Sequence, residues 1–161
     1  MDITELCGFL VKAKIDTYAS GREAAILRDG SKELTFSEGK FLYKDRHFGF
    51  DPFIGEETVF HEGICIWGMN YYGLASPSKD FFLKDVYAFL REALKRVSEQ
   101  KPFRGPEKYE RQPFKYVNNV EGDVNMFSGT EKIFYREKRF TNCYITADAP
   151  SAHPKLYCLE E

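Results

Sequence analysis

Several features are scarce in this chain of 161 residues, and each scarcity removes a class of function. There are four cysteines, Cys7, Cys65, Cys143 and Cys158, and no Cys-x-x-Cys. Such irregular spacing reads as reduced thiols in a cytoplasmic protein. His61 and Cys65 flank a Glu62-Gly63 turn, but two ligands do not make a zinc cage, so no metal is expected. No stretch approaches the ~18 apolar residues of a membrane span. The start, MDITELCGFLVKAKI, lacks a basic leader and a small-residue cleavage site, so no membrane association is expected. A glycine-rich phosphate loop, GxSxG and HExxH are all missing, so no cofactor is expected and no catalytic residue is assigned by motif. An excess of basic charge is missing too. The net charge is −2 with a pI near 6.0, unlike the footprint of a nucleic-acid binder. Charge is unevenly spread, however. Leu94 to Arg139 holds 11 Lys/Arg against 7 Asp/Glu, which leaves the rest of the chain acidic. A solvated surface explains this more simply than a partner does.

What is present is apolar and aromatic. Hydrophobic residues make up 43% and aromatics 16%, enough to bury a core. Much of this material occurs twice in one order. Phe41 and Tyr43 match Phe114 and Tyr116, and Gly49 matches Gly122, at one constant offset. One residue of slippage follows. Phe53, Gly55, Glu57, Val59 and Phe60 then match Phe127, Gly129, Glu131, Ile133 and Phe134, and Ile66 matches Phe140. Gly8-Phe9-Leu10 with Ala13 resembles Ala88-Phe89-Leu90 with Ala93. Ordered matches of this kind point to an internal repeat. Curved antiparallel hairpins, which favour aromatics and glycine at such places, supply the alternative.

A helix is expected over Ile3–Thr17, capped by Asp2 and striped with Ile3, Leu6, Cys7, Leu10, Val11 and Ile15. Strands follow near Glu33–Phe36, Lys40–Phe48, Glu56–His61 and Ile64–Tyr72, separated by Asp-Gly and Glu-Gly turns. A second helix runs from Pro77 to Glu99 on Phe82, Val86, Phe89, Leu90, Ala93 and Val97. Strands return near Phe114–Asn119, Val124–Phe127, Glu131–Tyr135 and Arg139–Thr146. The expected fold is an α+β domain of internally duplicated helix-plus-antiparallel-strand units. Its two long helices would pack on a curved antiparallel sheet. One domain, 1–161, would comprise two similar halves, about 3–73 and 77–148, and a C-terminal tail.

The candidate site follows from alternation. Side chains change face at each strand residue, so Glu57 shares a face with Phe53 and Val59, and Glu131 with Phe127 and Ile133. A carboxylate on an apolar face must find donors or take up a proton. Two roles compete: a structural device holding a bent neighbouring strand, or the wall of a ligand cleft between the halves. Trp67, Tyr71, Tyr72, Tyr109 and Phe127 would supply aromatic walls, and Asn70 and Arg104 polar contacts, for a small ligand. Asn70 also suits a backbone-bonded bend, and Arg104 suits a half-buried glutamate partner.

The stretches WGMNYYG, PFRGPEKY and FSGTEKIFY resemble a bacterial and archaeal family known only as a domain of unknown function. The resemblance runs from GFLVKAK to Cys143-Tyr144. In that family the domain occurs alone or behind an Xre-type helix-turn-helix. A His-Gly-Gly stretch follows the Cys-Tyr pair there, where this chain has Ile145-Thr146-Ala147-Asp148-Ala149. No helix-turn-helix is read here, so direct nucleic-acid binding is not implied. The plan is also similar to effector-binding domains of drug-sensing regulators, which hold ligands between two similar halves beside a glutamate. The leading expectation is therefore effector-like small-molecule binding in a cleft between the halves. The alternatives are a small enzyme using Glu57 or Glu131 as general base, and a ligand-free interaction or homodimerisation module.

Overall fold

The structure is a computed structural model that describes residues 2–75 and 83–136, with the strand backbone of 138–139 and 141–148. The first helix, α1 (Ile3–Asp16), begins at Asp2, whose carboxylate accepts from the Thr4 N–H at 2.9 Å. A single 3-10 turn, Tyr18–Ser20, closes it. Five strands follow: β1 (Ala25–Ile26), β2 (Lys32–Glu38), β3 (Phe41–Gly49), β4 (Phe53–His61) and β5 (Ile64–Ala75). The second helix, α2, is described over Leu83–Leu94. Five further strands are described after it: β6 (Lys108–Arg111), β7 (Phe114–Asp123), β8 (Met126–Tyr135), β9 (Lys138–Arg139) and β10 (Thr141–Asp148).

The strands form one ten-stranded antiparallel sheet in the order β1-β2-β3-β4-β5-β10-β8-β7-β6, with β9 pairing on β8. From one side the order runs β2, β3, β4, β5. From the other it runs β6, β7, β8, β10. The two series meet where β5 pairs with β10.

The expectation of two long helices on a curved sheet is overturned, because strand dominates. The helices are short, 14 residues in α1 and 12 described in α2. At 1.5 Å per residue each covers only ~20 Å, whereas nine strands spaced ~4.8 Å span ~40 Å. The strands are longer than expected because glycine and polar residues lie inside them. Alternation continues through Gly55 in β4, and through Ser128-Gly129-Thr130 in β8, where a break was expected. The second helix does not reach Glu99. After Leu94 the chain tightens, with Arg96 N–H donating to Ala93 and Val97 N–H to Leu94. Pro77, Phe82, Phe140 and the tail after Asp148 lie outside the described residues or side chains.

Two apolar clusters form the core. In the first, α1 packs Leu6, Phe9, Leu10 and Ala13 on Phe41, Tyr43, Val59, Trp67 and Met69. In the second, α2 packs Val86, Phe89, Leu90 and Ala93 on Phe114, Tyr116 and Ile133. The buried face of α1 is rotated from the expected stripe. Ile3 and Ile15 are exposed, whereas Phe9 stacks on Phe41 with centroids 4.9 Å apart and Lys14 points inward. That face is set by the aromatics beneath it, and these are invisible to helical periodicity alone.

Candidate functional site

Glu57 and Glu131 are both 2% exposed. Each finds donors, as burial requires. Lys14 Nζ, reaching down from α1, donates to Glu57 Oε2 and, at 2.8 Å, to the Phe103 carbonyl. Arg104 donates from Nε to Glu131 Oε2 at 2.9 Å and from Nη1 to Glu57 Oε1 at 3.5 Å. Tyr116 donates its hydroxyl to Glu131 Oε1. One guanidinium thus joins the carboxylates of both strand series, as its rigid planar fork allows.

The sequence around Arg104 explains how it gets there. Pro102 and Gly105-Pro106 prevent a helix or strand, so the segment enters the core with free backbone groups. Side chains from β7 and α1 satisfy them. Gly105 N–H donates to the Tyr116 hydroxyl at 3.2 Å, and Asn118 Nδ2 donates to the Gly105 carbonyl at 3.1 Å. A Cβ at Gly105 would sit 2.8 Å from that hydroxyl, so only glycine lets the ring approach.

A third acid completes the cluster. Asp45 on β3 is directly opposite Glu57 on β4 and is 2% exposed. It accepts from the Tyr71 hydroxyl. Burial, then the charge of Glu57, pushes Asp45 up to about 7. Two acids facing across a strand pair repel, and a proton on one relieves the repulsion. Without that ionisation, Lys14 and Arg104 balance Glu57 and Glu131. At the matching place in the other series Asn118 is opposite Glu131, so an amide stands where Asp45 stands. Tyr71 and Tyr116 are raised well above the ordinary phenol range, chiefly by burial and then by their acid partners, so both remain neutral donors. Burial lowers Lys14, and Glu57 opposes that shift.

A pocket of about 230 Å³ opens beside this cluster. Its floor is the inner face of β2 to β5, carrying Lys32, Leu34, Asp45, His47 and Tyr71. Tyr87, Leu90 and Arg91 of α2 form a facing wall, and Arg104 lies at the inner end. The wall is fastened by Tyr87, whose hydroxyl donates to the Phe50 carbonyl at 3.0 Å. Phe50 and Phe53 stand 4.8 Å and 6.2 Å from the Tyr87 ring. Gly55 makes room for Tyr71, because a Cβ there would lie 2.5 Å from the Tyr71 ring.

The structure unites five of the expected residues: Glu57, Glu131, Arg104, Trp67 and Tyr71. Trp67 is fully buried, donates to the Val124 carbonyl at 2.8 Å and lies under Lys14 Nζ at 5.5 Å. Asn70 and Tyr72 are exposed on the opposite face of β5 from Trp67 and Tyr71. Tyr109 on β6 does not line the pocket and is stacked on Phe89 of α2 at 5.4 Å. Lys14, Asp45 and Tyr116 were missed. For Asp45 a signal existed: it alternates with the aromatics Phe41 and Tyr43, as Glu57 does with Val59. His61 packs on Phe41 at 4.8 Å, and Cys65 Sγ lies 3.7 Å from the Trp67 carbonyl.

A family model described as a domain of unknown function, DUF5680, matches residues 45–149. The chain belongs to that family. The DUF5680 match starts later than the expected Gly8 and takes in Asp45, Glu57, Tyr71, Arg104, Tyr116 and Glu131. Lys14, Lys32 and the rest of α1 and β2 precede it. No curated protein and no solved structure matches the chain. No helix among the described residues is long and apolar enough to cross a membrane.

Proposed function

We propose that this domain binds a small molecule in the pocket between the first strand series and α2. The observation that carries the reading is the pocket's continuity with the buried ion cluster through Asp45, Tyr71 and Arg104. An apolar cleft with a few convergent polar groups and a strongly perturbed acid is the usual form of a ligand site. We also infer that residues 1–161 form one domain of two similar halves, with the pocket where they meet. The mirrored strand order and the pairing of Asp45 with Glu57 and Asn118 with Glu131 support this. Glu57 and Glu131 serve that site structurally, since each carboxylate is engaged by a cation.

A thermal-shift screen against a metabolite library tests the proposal. A ligand at 100 times its Kd stabilises by ~2.7 kcal/mol. Expected hits move the NMR signals of Phe53, Tyr71 and Tyr87. A screen without hits, or hits that move only distant signals, refutes it.

A second reading is favoured by Asp45 alone. A carboxylic acid titrating near 7 in a pocket wall is suited to general acid–base work. Under that reading Asp45→Asn abolishes turnover of a bound ligand and retains binding. Turnover undiminished by the substitution rejects it.

A further inference from the structure

The walls of the pocket are chemically one-sided. Its lining includes Arg22, Lys32, Arg91 and Arg104, against Asp45 as the single lining acid. Two of these cations are already engaged. Arg22 pairs with Asp16 at 3.1 Å, and Arg104 holds the two glutamates. Lys32 and Arg91 differ. Among the described residues neither makes a salt bridge or a side-chain hydrogen bond, although acids are plentiful on the rest of the surface. They approach from opposite sides, Lys32 from the β2 floor and Arg91 from the α2 wall. The floor also carries His47, directly across the strand pair from Lys32. Its Nδ1 is buried without a hydrogen-bond partner among the described residues. Burial, then the charge of Lys32, holds His47 below the ordinary imidazole range, so it is neutral and keeps a single N–H to offer.

Two cations without an ion pair among the described residues, lining one cavity with an imidazole nitrogen that lacks a partner there, favour a ligand rich in hydrogen-bond acceptors. Resting on the small-molecule reading above, we propose that the pocket takes a compact anion, a carboxylate or phosphate monoester carried on one small apolar ring. Arg91 and Lys32 bind the anionic group, and His47 contributes a hydrogen bond. Guanidinium and ammonium groups make their strongest hydrogen bonds to such oxyanions. The ring lies against Phe50, Phe53 and Leu90. The size agrees: a cavity of about 150 Å³ holds benzene, and this one, at about 230 Å³, leaves room for one anionic substituent.

The test uses the full chain and four probes of one shape: benzoate and phenyl phosphate as anions, benzamide as the neutral isostere and benzamidine as the cation. Binding is followed by titration calorimetry and by NMR signals of Tyr71 and Tyr87. At least one anion is expected to bind about tenfold or more tightly than benzamide and benzamidine. Arg91→Gln and Lys32→Gln should each weaken it by about tenfold. Lys32 is exposed and Arg91 half-buried, so both variants should fold, which circular dichroism checks. Equal or tighter binding of benzamide or benzamidine at these signals overturns the anion assignment and leaves the pocket reading standing. Anion binding that neither variant weakens overturns the assignment too. If none of the four probes binds, the anion assignment falls, and the metabolite screen then decides separately whether the pocket reading falls with it.

Discussion

Arg104 donates from Nε to Glu131 at 2.9 Å while its Nη1 reaches Glu57 at 3.5 Å, so one side chain serves two buried acids. Removing it leaves both carboxylates short of a donor. Breaking a buried ion pair by deleting one partner costs about 3–5 kcal/mol. Arg104→Ala should lose that much in urea denaturation. Arg104→Lys should recover only part, because an ammonium cannot span both acids. In a double-mutant cycle with Glu131→Gln, the pair should couple by more than about 1 kcal/mol. Additivity would mean that Arg104 holds neither acid.

Asp45 gives stability a pH dependence of its own. Its folded value, about 7, lies above the ~3.9 of an unfolded aspartate. Between these values the native state holds more protons than the unfolded state. This contribution is therefore fully present below about pH 4 and is lost as pH rises through 7. Asp45→Asn removes the titration and imitates Asn118. The variant should be more stable than the parent at pH 8, by on the order of a few kcal/mol, with the gain shrinking towards pH 4. Denaturant midpoints across that range provide the measurement. A gain independent of pH would dismiss the assignment.

Gly55 is set by its neighbour across the sheet. Gly55→Ala would push a methyl group into the Tyr71 ring and the Arg46 carbonyl. Overpacking of this kind costs about 1–3 kcal/mol. The same substitution in a Tyr71→Ala background should cost clearly less. Equal costs in both backgrounds would show that the backbone, not the ring, is responsible.

Lys14 is a helix residue whose value depends on Glu57. Lys14→Met should fit sterically along α1 yet destabilise by about 3 kcal/mol, since the buried Glu57 carboxylate loses its nearest donor. Pairing it with Glu57→Gln should restore part of the loss. Thermal denaturation of the four proteins decides, and a Lys14→Met variant as stable as the parent would contradict the contact.

Alternation along strands is a local property, and it carried far. Glu57 beside Val59 and Glu131 beside Ile133 implied two buried acids with donors, and both are found. Applied to β5, the same rule separates inward Trp67 and Tyr71 from outward Asn70 and Tyr72, so those two were misplaced in spite of a legible pattern. Strand length was less legible, since glycine inside β4 and β8 interrupts the apolar run without interrupting the pleat. The identity of the donors was not legible at all. Lys14 and Arg104 are distant from Glu57 in sequence, and nothing in either neighbourhood names the other. The raised titration of Asp45, and the lack of an ion pair at Lys32 and Arg91 among the described residues, likewise arise only when separate strands and α2 close around one space. A residue's face is decided by its own backbone, whereas its charge state and partners are decided by whatever the chain brings against it.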